Sequence, residues 1–329
     1  LMTTKIQVGI AGYGNLGRGV ESSVYQNDDM ELVGVFTRRD PETLQPLMEA
    51  TNVYSMDDLL SYKEKIDVLI LCGGSNDDLP TQSPELAEHF NIIDSFDNHA
   101  EIPNHFERVH KQAEKGNTTA IISVGWDPGL FSLNRMINEA ILPEGETHTF
   151  WGKGLSQGHS AAVRRVEGVK DAVQYTIPSE EAMNKVRSGE ETELLTNEKH
   201  KRVCYVVLAD GADAKEVEQR IITMPDYFEP YDTTVHFIDE EEMKRDHQAM
   251  PHGGFVIRSG KTGEGTNQVM EFSLALDSNP EFTSSVLVAY ARAAHRLAQE
   301  KSYGAHTIFD IAPKYIARDS NASLRKNLL

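Results

Sequence analysis

The sequence predicts an α/β fold in which a Rossmann-type, doubly wound domain with a parallel sheet is joined to an α+β domain with a mixed or antiparallel sheet. Three observations support this prediction. Short apolar strands alternate with helical segments over residues 1–125, a glycine-rich turn follows the first strand, and longer strands follow residue 126. Strands that are apolar throughout are typical of a parallel sheet buried on both faces, whereas alternating polarity is typical of a half-buried antiparallel sheet.

The first domain, residues 1–125, has the alternation of strand and helix that a doubly wound sheet requires. Its predicted strands are 5–11 (KIQVGIA), 30–37 (MELVGVFT), 66–72 (IDVLILC), 91–95 (NIIDS) and 119–124 (TAIISV). Its predicted helices are 15–26, 56–62, 83–89 and 104–115.

The second domain, residues 126–280, is predicted to be α+β. Its predicted helices are about 130–141, 159–168 and 213–223, and its strands are HTFWGKG, KRVCYVVLAD, TTVHFID, GGFVIRS and NQVMEFSLALD. In the last strand, Met270, Phe272, Leu274 and Leu276 alternate on one face. An amphipathic helix at 281–300 opens the segment 281–329, which we expect to pack back onto the first domain.

Composition narrows the function classes. A net charge of −19 argues against general nucleic-acid binding, which needs a basic face, and the longest apolar runs are too short to cross a membrane. Polar residues follow Met2 directly, so we expect no signal peptide. The two cysteines, Cys72 and Cys204, lie in apolar runs, which suits buried thiols in a reducing cytoplasm. The histidines lack metal-ligand spacing, so we expect no metal site.

The turn GYGNLG at residues 12–17 satisfies the pattern G-x-G-x-x-G between a predicted strand and a predicted helix. Gly12 permits the tight turn, Gly14 lets a pyrophosphate approach the backbone, and Gly17 lets helix and strand pack closely. The helix N-terminus offers N–H groups and a positive dipole end to the phosphates. The context therefore predicts a dinucleotide site; the alternative is an ordinary glycine-rich turn.

The end of the second strand indicates which dinucleotide is bound. NAD-binding versions place an acidic residue there to hold the ribose 2′-hydroxyl, but this chain has Thr37, Arg38 and Arg39. Two guanidiniums and a hydroxyl can hold a 2′-phosphate by charge-assisted hydrogen bonds. We therefore predict NADP as the cofactor. The alternative is that the arginines are solvated and that Asp40 is the missing acid.

Two carboxylates follow later strands of the same sheet. Asp97 in DSFDNH and Asp127 in SVGWDPG should emerge at the carboxyl edge, where doubly wound folds bind ligands. There they can hold an ammonium group or remove its proton. The structural alternative is equally compatible with the pattern: Asp97 as a helix N-cap and Asp127 as part of a turn.

A series of segments, in chain order, then resembles a known family. They are GYGNLG, FTRR, SFDNH, SVGWDPG, HTFWGKGLSQGHS, VQYTIPSE, KHKR, TMPDYF, MPHGG and NPEFT. The chain resembles the meso-diaminopimelate D-dehydrogenases of bacterial lysine metabolism from about residue 5 to 312. The resemblance implies a cytoplasmic NADP-dependent oxidoreductase that forms homodimers or larger assemblies, with residues 126–280 as the substrate-binding and dimerisation domain. It would reversibly convert the D-centre of meso-2,6-diaminopimelate to L-2-amino-6-oxopimelate and ammonia, for lysine biosynthesis.

The resemblance also assigns residues to the site. Its NADP contacts fall on Gly12, Tyr13, Gly14, Asn15, Leu16, Gly17, Thr37, Arg38, Arg39, Cys72, Gly73, Gly74, Ser75, Ser95, Phe96, Asp97, Val124, Gly125, Trp126, Asp127 and Pro128. Its substrate contacts fall on Asp97, Asp127, Trp151, Gln157, Gly158, Thr176, Arg202, His252 and Asn279. Because we find no convincing catalytic lysine, we predict proton removal by Asp97 or Asp127.

The substrate carries two carboxylates and two ammoniums, so its site needs matched donors and acceptors. Arg202 can fork onto one carboxylate, Thr176 and His252 can add donors, and Trp151 can fix the reacting Cα–H towards the nicotinamide ring. Four of the assigned residues also have a plainer interpretation. Trp151 could lie in the core, His252 could be an exposed loop residue, Arg202 could offset the acidic surface, and Asn279 could be an N-cap before proline.

Rival functions are a broad D-amino acid dehydrogenase, a homoserine- or saccharopine-type enzyme on the same architecture, and a non-catalytic NADP sensor. A requirement for a second amino-acid end on the substrate distinguishes meso-diaminopimelate dehydrogenation from both rival enzyme activities. Turnover of any amino acid distinguishes an enzyme from a sensor.

Overall fold

Secondary structure in the computed structural model, which describes residues 4–190 and 193–329, alternates between strand and helix through the first third of the chain. The strands are β1 Ile6–Ala11, β2 Met30–Thr37, β3 Val53–Ser55, β4 Val68–Leu71, β5 Ile92–Ile93, β6 Thr119–Ile121, β7 Gly145–Trp151, β8 Gly154–Leu155, β9 Val169–Pro178, β10 His200–Leu208, β11 Thr233–Phe237, β12 His252–Thr262, β13 Thr266–Leu276 and β14 Gly304–His306. Met2, on which the expectation of no signal peptide rests, lies outside the described residues.

The α-helices are α1 Asn15–Tyr25, α2 Leu79–Ala87, α3 Ile102–Gly116, α4 Leu130–Ile141, α5 Gln157–Arg164, α6 Glu180–Arg187, α7 Thr196–Lys199, α8 Ala214–Ile222, α9 Glu240–Asp246, α10 Asn279–Gln299, α11 Pro313–Ile316 and α12 Asn321–Leu328. Short 3₁₀ helices cover Pro41–Thr43, Met56–Tyr62, His99–Glu101 and Ile308–Asp310. Within the described ranges, no helix combines the length and the apolar character needed to cross a membrane.

The chain divides into two units, one formed by Leu1–Leu133 with Pro280–Leu329 and the other by Asn134–Asn279. The first unit contains a seven-stranded sheet in the order β14-β6-β5-β4-β1-β2-β3, and its paired strands are parallel. The strand order reverses between β1 and β4. Ligands bind doubly wound sheets at the carboxyl ends of the strands beside such a switch point.

The parallel sheet is covered on both faces. Val8 and Ile10 of β1 belong to one apolar cluster and Leu69 and Leu71 of β4 to another, and all four are fully buried. Burial on both faces explains why these strands are apolar throughout in the sequence. The Rossmann-type fold class is confirmed.

The C-terminal segment contributes to the first of these clusters through α10, whose Leu287 and Val288 are fully buried in it. The guanidinium of Arg292, 3% exposed, donates to both carboxylate oxygens of Asp29 and to Asn27 Oδ1. A fourth hydrogen bond, from Arg292 to the Ile316 carbonyl, fixes the chain beyond the helix. Helix α10 is thus part of the first unit's core, and the last fifty residues belong to that unit.

The second unit has two sheets rather than one. The order β11-β10-β9-β8 forms a mixed sheet, in which β10 and β11 are parallel and the other pairs are antiparallel. The order β13-β12-β7 forms an antiparallel sheet. Helices α5 and α8 cover one face of the mixed sheet through Val163, Val217 and Ile221, and α6 covers the antiparallel sheet through Met183. In β13 the predicted alternation on one face is present.

The sequence missed or misjudged several elements. Segment 56–62 is a 3₁₀ helix, and α2 begins at Leu79 rather than 83 because Pro80 stands in its first turn, where the missing N–H costs nothing. Strands β3 and β14 have three residues each, too few for a periodic signal. Strand β9 was missed because its buried Gln174 and Thr176 interrupt the apolar pattern.

Candidate active site

The glycine-rich turn has the geometry that a dinucleotide site needs. Gly12 has φ +94°, and a Cβ there would lie 3.2 Å from the Cys72 carbonyl carbon. A Cβ on Gly17 would lie 2.4 Å from the Gly12 oxygen, so close packing of helix on turn excludes a side chain. Gly14 is the N-cap of α1, and the first turn of that helix carries no acidic residue. The turn therefore presents the N-terminal N–H groups of a helix and a positive dipole end to an anion.

A buried glutamate fixes this turn to the loop that follows β2. The Glu21 carboxylate, fully buried, accepts hydrogen bonds from the Tyr13 hydroxyl, from Thr51 Oγ1 at 2.6 Å and from the backbone N–H groups of Leu47 and Met48 at 3.1 and 3.0 Å. Burial raises the pKa of Tyr13 to about 12. Burial alone would raise the pKa of Glu21, but its hydrogen bonds lower it on balance. Sequence reasoning did not identify Glu21.

The residues expected to hold a 2′-phosphate lie beside the turn. Thr37 is 3% exposed, and its hydroxyl accepts the Arg39 N–H at 3.1 Å, while Arg39 Nη2 donates to the Tyr13 carbonyl. Arg38 Nη2 lies 2.8 Å from Asp78 Oδ1, with the arginine 67% exposed. Such an exposed ion pair contributes at most about 1 kcal/mol, so Arg38 can exchange Asp78 for a phosphate.

Asp40, the alternative ribose acid, caps the 3₁₀ turn Pro41–Thr43 by accepting the Glu42 N–H.

The segments after β4 and β5 lie together at the carboxyl edge. The Asp97 N–H donates to Ser75 Oγ at 2.9 Å, and the Gly74 N–H donates to Asp78 Oδ2 at 2.8 Å. Asp97 itself is exposed, and the cap of the helical turn His99–Glu101 is Asn98, so Asp97 is not an N-cap. Among the described residues its carboxylate has no hydrogen-bond partner.

Asp127 lies in a tight turn after β6. Trp126 and Gly129 form an isolated antiparallel bridge, and the peptide bond between Asp127 and Pro128 is cis. Gly129 has φ +135°, and a Cβ there would lie 1.8 Å from the Gly125 oxygen. The turn interpretation of Asp127 is therefore correct, and it places the carboxylate at the carboxyl edge of the sheet.

In the second unit, Arg202 on β10 and Thr176 on β9 are paired across the mixed sheet. Both are 8% exposed, and Arg202 Nη1 donates to Thr176 Oγ1 at 2.5 Å. The guanidinium carbon lies 4.0 Å from the centre of the Tyr231 ring. Burial lowers the pKa of Arg202. No carboxylate among the described residues pairs with Arg202, and its Nε is buried without a partner. A buried cation without a counter-charge indicates a site for an anionic ligand.

Gly154, in the same sheet, and His252, at the start of β12 in the antiparallel sheet, lie next to Thr176. Gly154 of β8 pairs with Thr176, and a Cβ on Gly154 would lie 2.5 Å from the His252 ring. The imidazole Nδ1 of His252 accepts the Gly253 N–H at 2.8 Å, and burial lowers the pKa of His252. The structure thus brings Arg202, Thr176 and His252 into one neighbourhood. His252 is half-buried, not the exposed loop residue of the plainer interpretation.

Trp151 ends β7 with 37% of its surface exposed, so it is not a core residue. The backbone N–H of Trp151 donates to His200 Nε2 at 2.9 Å, and the indole and imidazole rings stack with centroids 5.7 Å apart. Burial, together with nearby Lys199, lowers the pKa of His200 to about 4. His200 is therefore neutral near pH 7 and acts as an acceptor. It holds the backbone at Trp151, a role that the sequence motif KHKR did not reveal.

The remaining predicted substrate contacts lie at helix starts. Gln157 and Gly158 are exposed in the first turn of α5, and the space around a Cβ on Gly158 is open. The preceding Ser156 N–H donates to the Gln174 carbonyl at 3.0 Å. Asn279 begins α10, and its N–H donates to the Met250 carbonyl at 2.9 Å. Within residues 4–190 and 193–329, no group of His, Cys, Asp and Glu could hold a metal ion.

Comparison with known proteins identifies the family. A family model described as the diaminopimelic acid dehydrogenase C-terminal domain matches residues 125–278. The meso-diaminopimelate D-dehydrogenase of Ureibacillus thermosphaericus is 62% identical over 326 residues, which cover 99% of this chain and all of that protein.

Two solved structures are similar over almost the whole chain. The Corynebacterium glutamicum DAP dehydrogenase in complex with DAP is 46% identical with a TM-score of 0.87 and covers 99% of this chain and 100% of that chain. An engineered D-amino acid dehydrogenase bound to NADP⁺ is 44% identical with a TM-score of 0.82 and the same coverage. The chain therefore belongs to the meso-diaminopimelate D-dehydrogenase family.

Proposed function

We propose that this protein catalyses the NADP-dependent oxidative deamination of the D-centre of meso-2,6-diaminopimelate, reversibly giving L-2-amino-6-oxopimelate and ammonia in lysine biosynthesis. Membership of the family supports the activity, and the C. glutamicum relative in complex with DAP supports the substrate. The observation in this chain that carries the proposal is the buried guanidinium of Arg202, which has no acidic partner among the described residues.

Arg202 suits the carboxylate at the far end of the substrate. Its unpaired Nε and its Nη groups form a planar fork that matches a carboxylate, and Thr176 Oγ1 supplies a further polar contact. An aromatic face, that of Tyr231, supports the cation. Because an aromatic ring does not neutralise the charge as a carboxylate would, the guanidinium stays available to the substrate.

The residues around the glycine-rich turn fit NADP. The α1 N-terminus suits the pyrophosphate, and Arg38 and Arg39 directly follow buried Thr37, where a 2′-phosphate would extend. The NADP⁺-bound engineered relative supports this cofactor. When bound, NADP accepts the hydride, and the protein supplies orientation and proton transfer.

We propose that Asp97 and Asp127 act on the reacting ammonium. Oxidation removes a hydride from Cα and requires the nitrogen to lose a proton, and a carboxylate at the carboxyl edge can accept that proton. One water molecule then hydrolyses the imine and releases ammonia. Asp97, exposed and without a hydrogen-bond partner among the described residues, has acceptor capacity for the ammonium.

The other assigned contacts complete the proposal. Trp151, Gln157, Gly158, His252 and Asn279 would line the substrate's carbon chain and distal end. The stack of Trp151 on neutral His200 supports an oriented aromatic wall, which matters because a misplacement of about 1 Å can cost on the order of 100-fold in rate.

We also propose self-association and a cytoplasmic location. Strand β13 lies at the edge of its sheet with exposed Val269, and such an edge is a surface on which a second copy can pair. Two free, buried cysteines agree with a reducing compartment.

An assay with the three stereoisomers of diaminopimelate tests the proposal. Reduced nicotinamide should form rapidly with the meso isomer and NADP, and slowly with the L,L isomer or with NAD. Simple D-amino acids oxidised as fast as the meso isomer would favour a broad D-amino acid dehydrogenase instead. No turnover of any amino acid, despite NADP binding, would leave only the sensor function.

A further inference from the structure

The carboxylate of Asp94, directly after β5, is fully buried and bonded in every direction. Its Oδ1 accepts the backbone N–H groups of Phe96 at 3.0 Å and Ser123 at 2.9 Å. Its Oδ2 accepts Ser83 Oγ at 2.6 Å and faces His105 Nε2 at 2.7 Å. A carboxylate offers about four acceptor sites, so these four contacts saturate it.

The two backbone donors belong to the two loops that carry the reacting end of the site. Phe96 directly precedes Asp97, and Ser123 opens the loop that leads to Asp127. The Asp94 carbonyl also accepts the Val124 N–H at 3.0 Å. Ser123 has φ +55°, a conformation that few non-glycine residues adopt. A single oxygen atom therefore joins both loops at a point where the backbone is held in an unusual conformation.

The other two donors connect this junction to the helices. Ser83 belongs to α2 and His105 to α3, and both are fully buried. The His105 ring stacks on Phe96 with centroids 4.0 Å apart. These contacts anchor the two loops to helices α2 and α3. Rigid elements of this kind hold reacting groups better than loops alone.

We propose that Asp94 is a positioning residue that sets the geometry of the Asp97 and Asp127 loops through Oδ1, by hydrogen bonding and not by its charge. This inference rests on the proposed function, which places those two acids beside the reacting ammonium. Asparagine can reproduce the essential contact, because its amide oxygen can accept both backbone N–H groups. Its NH₂ would then face Ser83 and His105, a hydroxyl and an imidazole that can each act as an acceptor.

The test compares Asp94→Asn, Asp94→Glu and Asp94→Ala with Ser83→Ala in the full-length protein. Glu keeps the charge but moves the carboxylate by about one carbon–carbon bond, 1.5 Å. We expect kcat with meso-diaminopimelate to fall on the order of 100-fold in the Glu and Ala variants, and to stay within about fivefold in the Asn variant. Ser83→Ala removes a contact to Asp94 without touching the loops and should also stay within about fivefold.

Two further readouts separate positioning from general damage. The Kd for NADP should change by much less than kcat, because the groups proposed for the pyrophosphate and the 2′-phosphate, the α1 N-terminus and Arg38, lie outside the two loops. The primary deuterium isotope effect on kcat should increase in the Glu variant as hydride transfer slows. The ordering of Asn above Glu decides the matter even if the Ala variant fails to fold. Glu at wild-type kcat, or a folded Asn variant as impaired as Glu, would overturn the inference. Failure of the wild-type protein to oxidise meso-diaminopimelate would instead reject the proposed function.

Discussion

Replacement of Arg202 by methionine tests the distal half of the proposed substrate site. Methionine has a similar unbranched stem but no charge, so it removes the guanidinium fork and leaves a comparable volume between Thr176 and Tyr231. In wild type Arg202 is 8% exposed, and its Nε is buried and unpaired. The loss should therefore concern ligand binding and not an internal ion pair.

The magnitude follows from the contacts that are lost. A hydrogen bond to a charged group contributes about 1.5–3 kcal/mol, and a two-bond fork about 3–4 kcal/mol after partial compensation. Since about 1.4 kcal/mol corresponds to a factor of ten, kcat/KM for meso-diaminopimelate should fall on the order of 100- to 1,000-fold. The melting temperature should not fall, because replacing a buried charge with an apolar side chain is often neutral or stabilising.

The assay follows reduced nicotinamide with two substrates. D-Lysine is meso-diaminopimelate without the distal carboxylate, so the same variant should change its kcat/KM by less than about fivefold. Lys201→Met is the matched control, because Lys201 is an exposed cation on the opposite side of the same strand. An Arg202→Met enzyme within threefold of wild type on meso-diaminopimelate, or an equal loss in the Lys201 variant, would refute the reasoning.

Three further predictions concern the cofactor, the base and pH. Arg38→Ala should lower kcat/KM for NADP by roughly 10- to 100-fold through loss of a charge-assisted contact and leave the value for NAD within threefold; equal losses would remove the 2′-phosphate role. Asp127→Asn should lower kcat by roughly 100-fold or more if Asp127 is the base, whereas a change in KM alone would make it a binding residue. His200, 3% exposed, has its pKa lowered from 6.5 to about 4, so as the pH falls the unfolded chain takes up a proton at this residue before the folded protein does. The free energy of unfolding should therefore fall between pH 6.5 and 4 by about 3 kcal/mol, and His200→Gln should flatten that dependence in urea titrations; an unchanged slope would contradict it.

The sequence predicts the first unit well because its signals are local. G-x-G-x-x-G, the run of apolar strands and the two arginines after β2 each lie within a few residues, and the physics of a turn or a buried strand acts over that range. Strand β9 escaped prediction because Gln174 and Thr176 are buried polar residues facing the neighbourhood of Arg202. Polar residues that serve a site break the pattern on which strand prediction depends.

Contacts between segments that are distant in the chain could not be predicted from the sequence. Glu21 meets Thr51, Asp94 meets Ser123, and Tyr231 supports Arg202; in each case the tertiary fold alone brings the partners together. The same holds for exposure. An alternating strand cannot show that Trp151 lies at its end, partly exposed, with its backbone held by neutral His200. The family resemblance assigned Trp151, Arg202 and Thr176 to the site. The structure adds the contacts that make their proposed roles testable.

The most direct test of the central claim follows a deuterium label from substrate to cofactor. Two preparations of meso-diaminopimelate, one labelled at the D-configured Cα and one at the L-configured Cα, are incubated with the protein and NADP, and the reduced cofactor is analysed by mass spectrometry. We expect deuterium in the reduced cofactor only from the D-labelled substrate, with ammonia released in equal amount. Label arriving from the L-centre, or no reduced cofactor from either preparation, would contradict the proposed reaction.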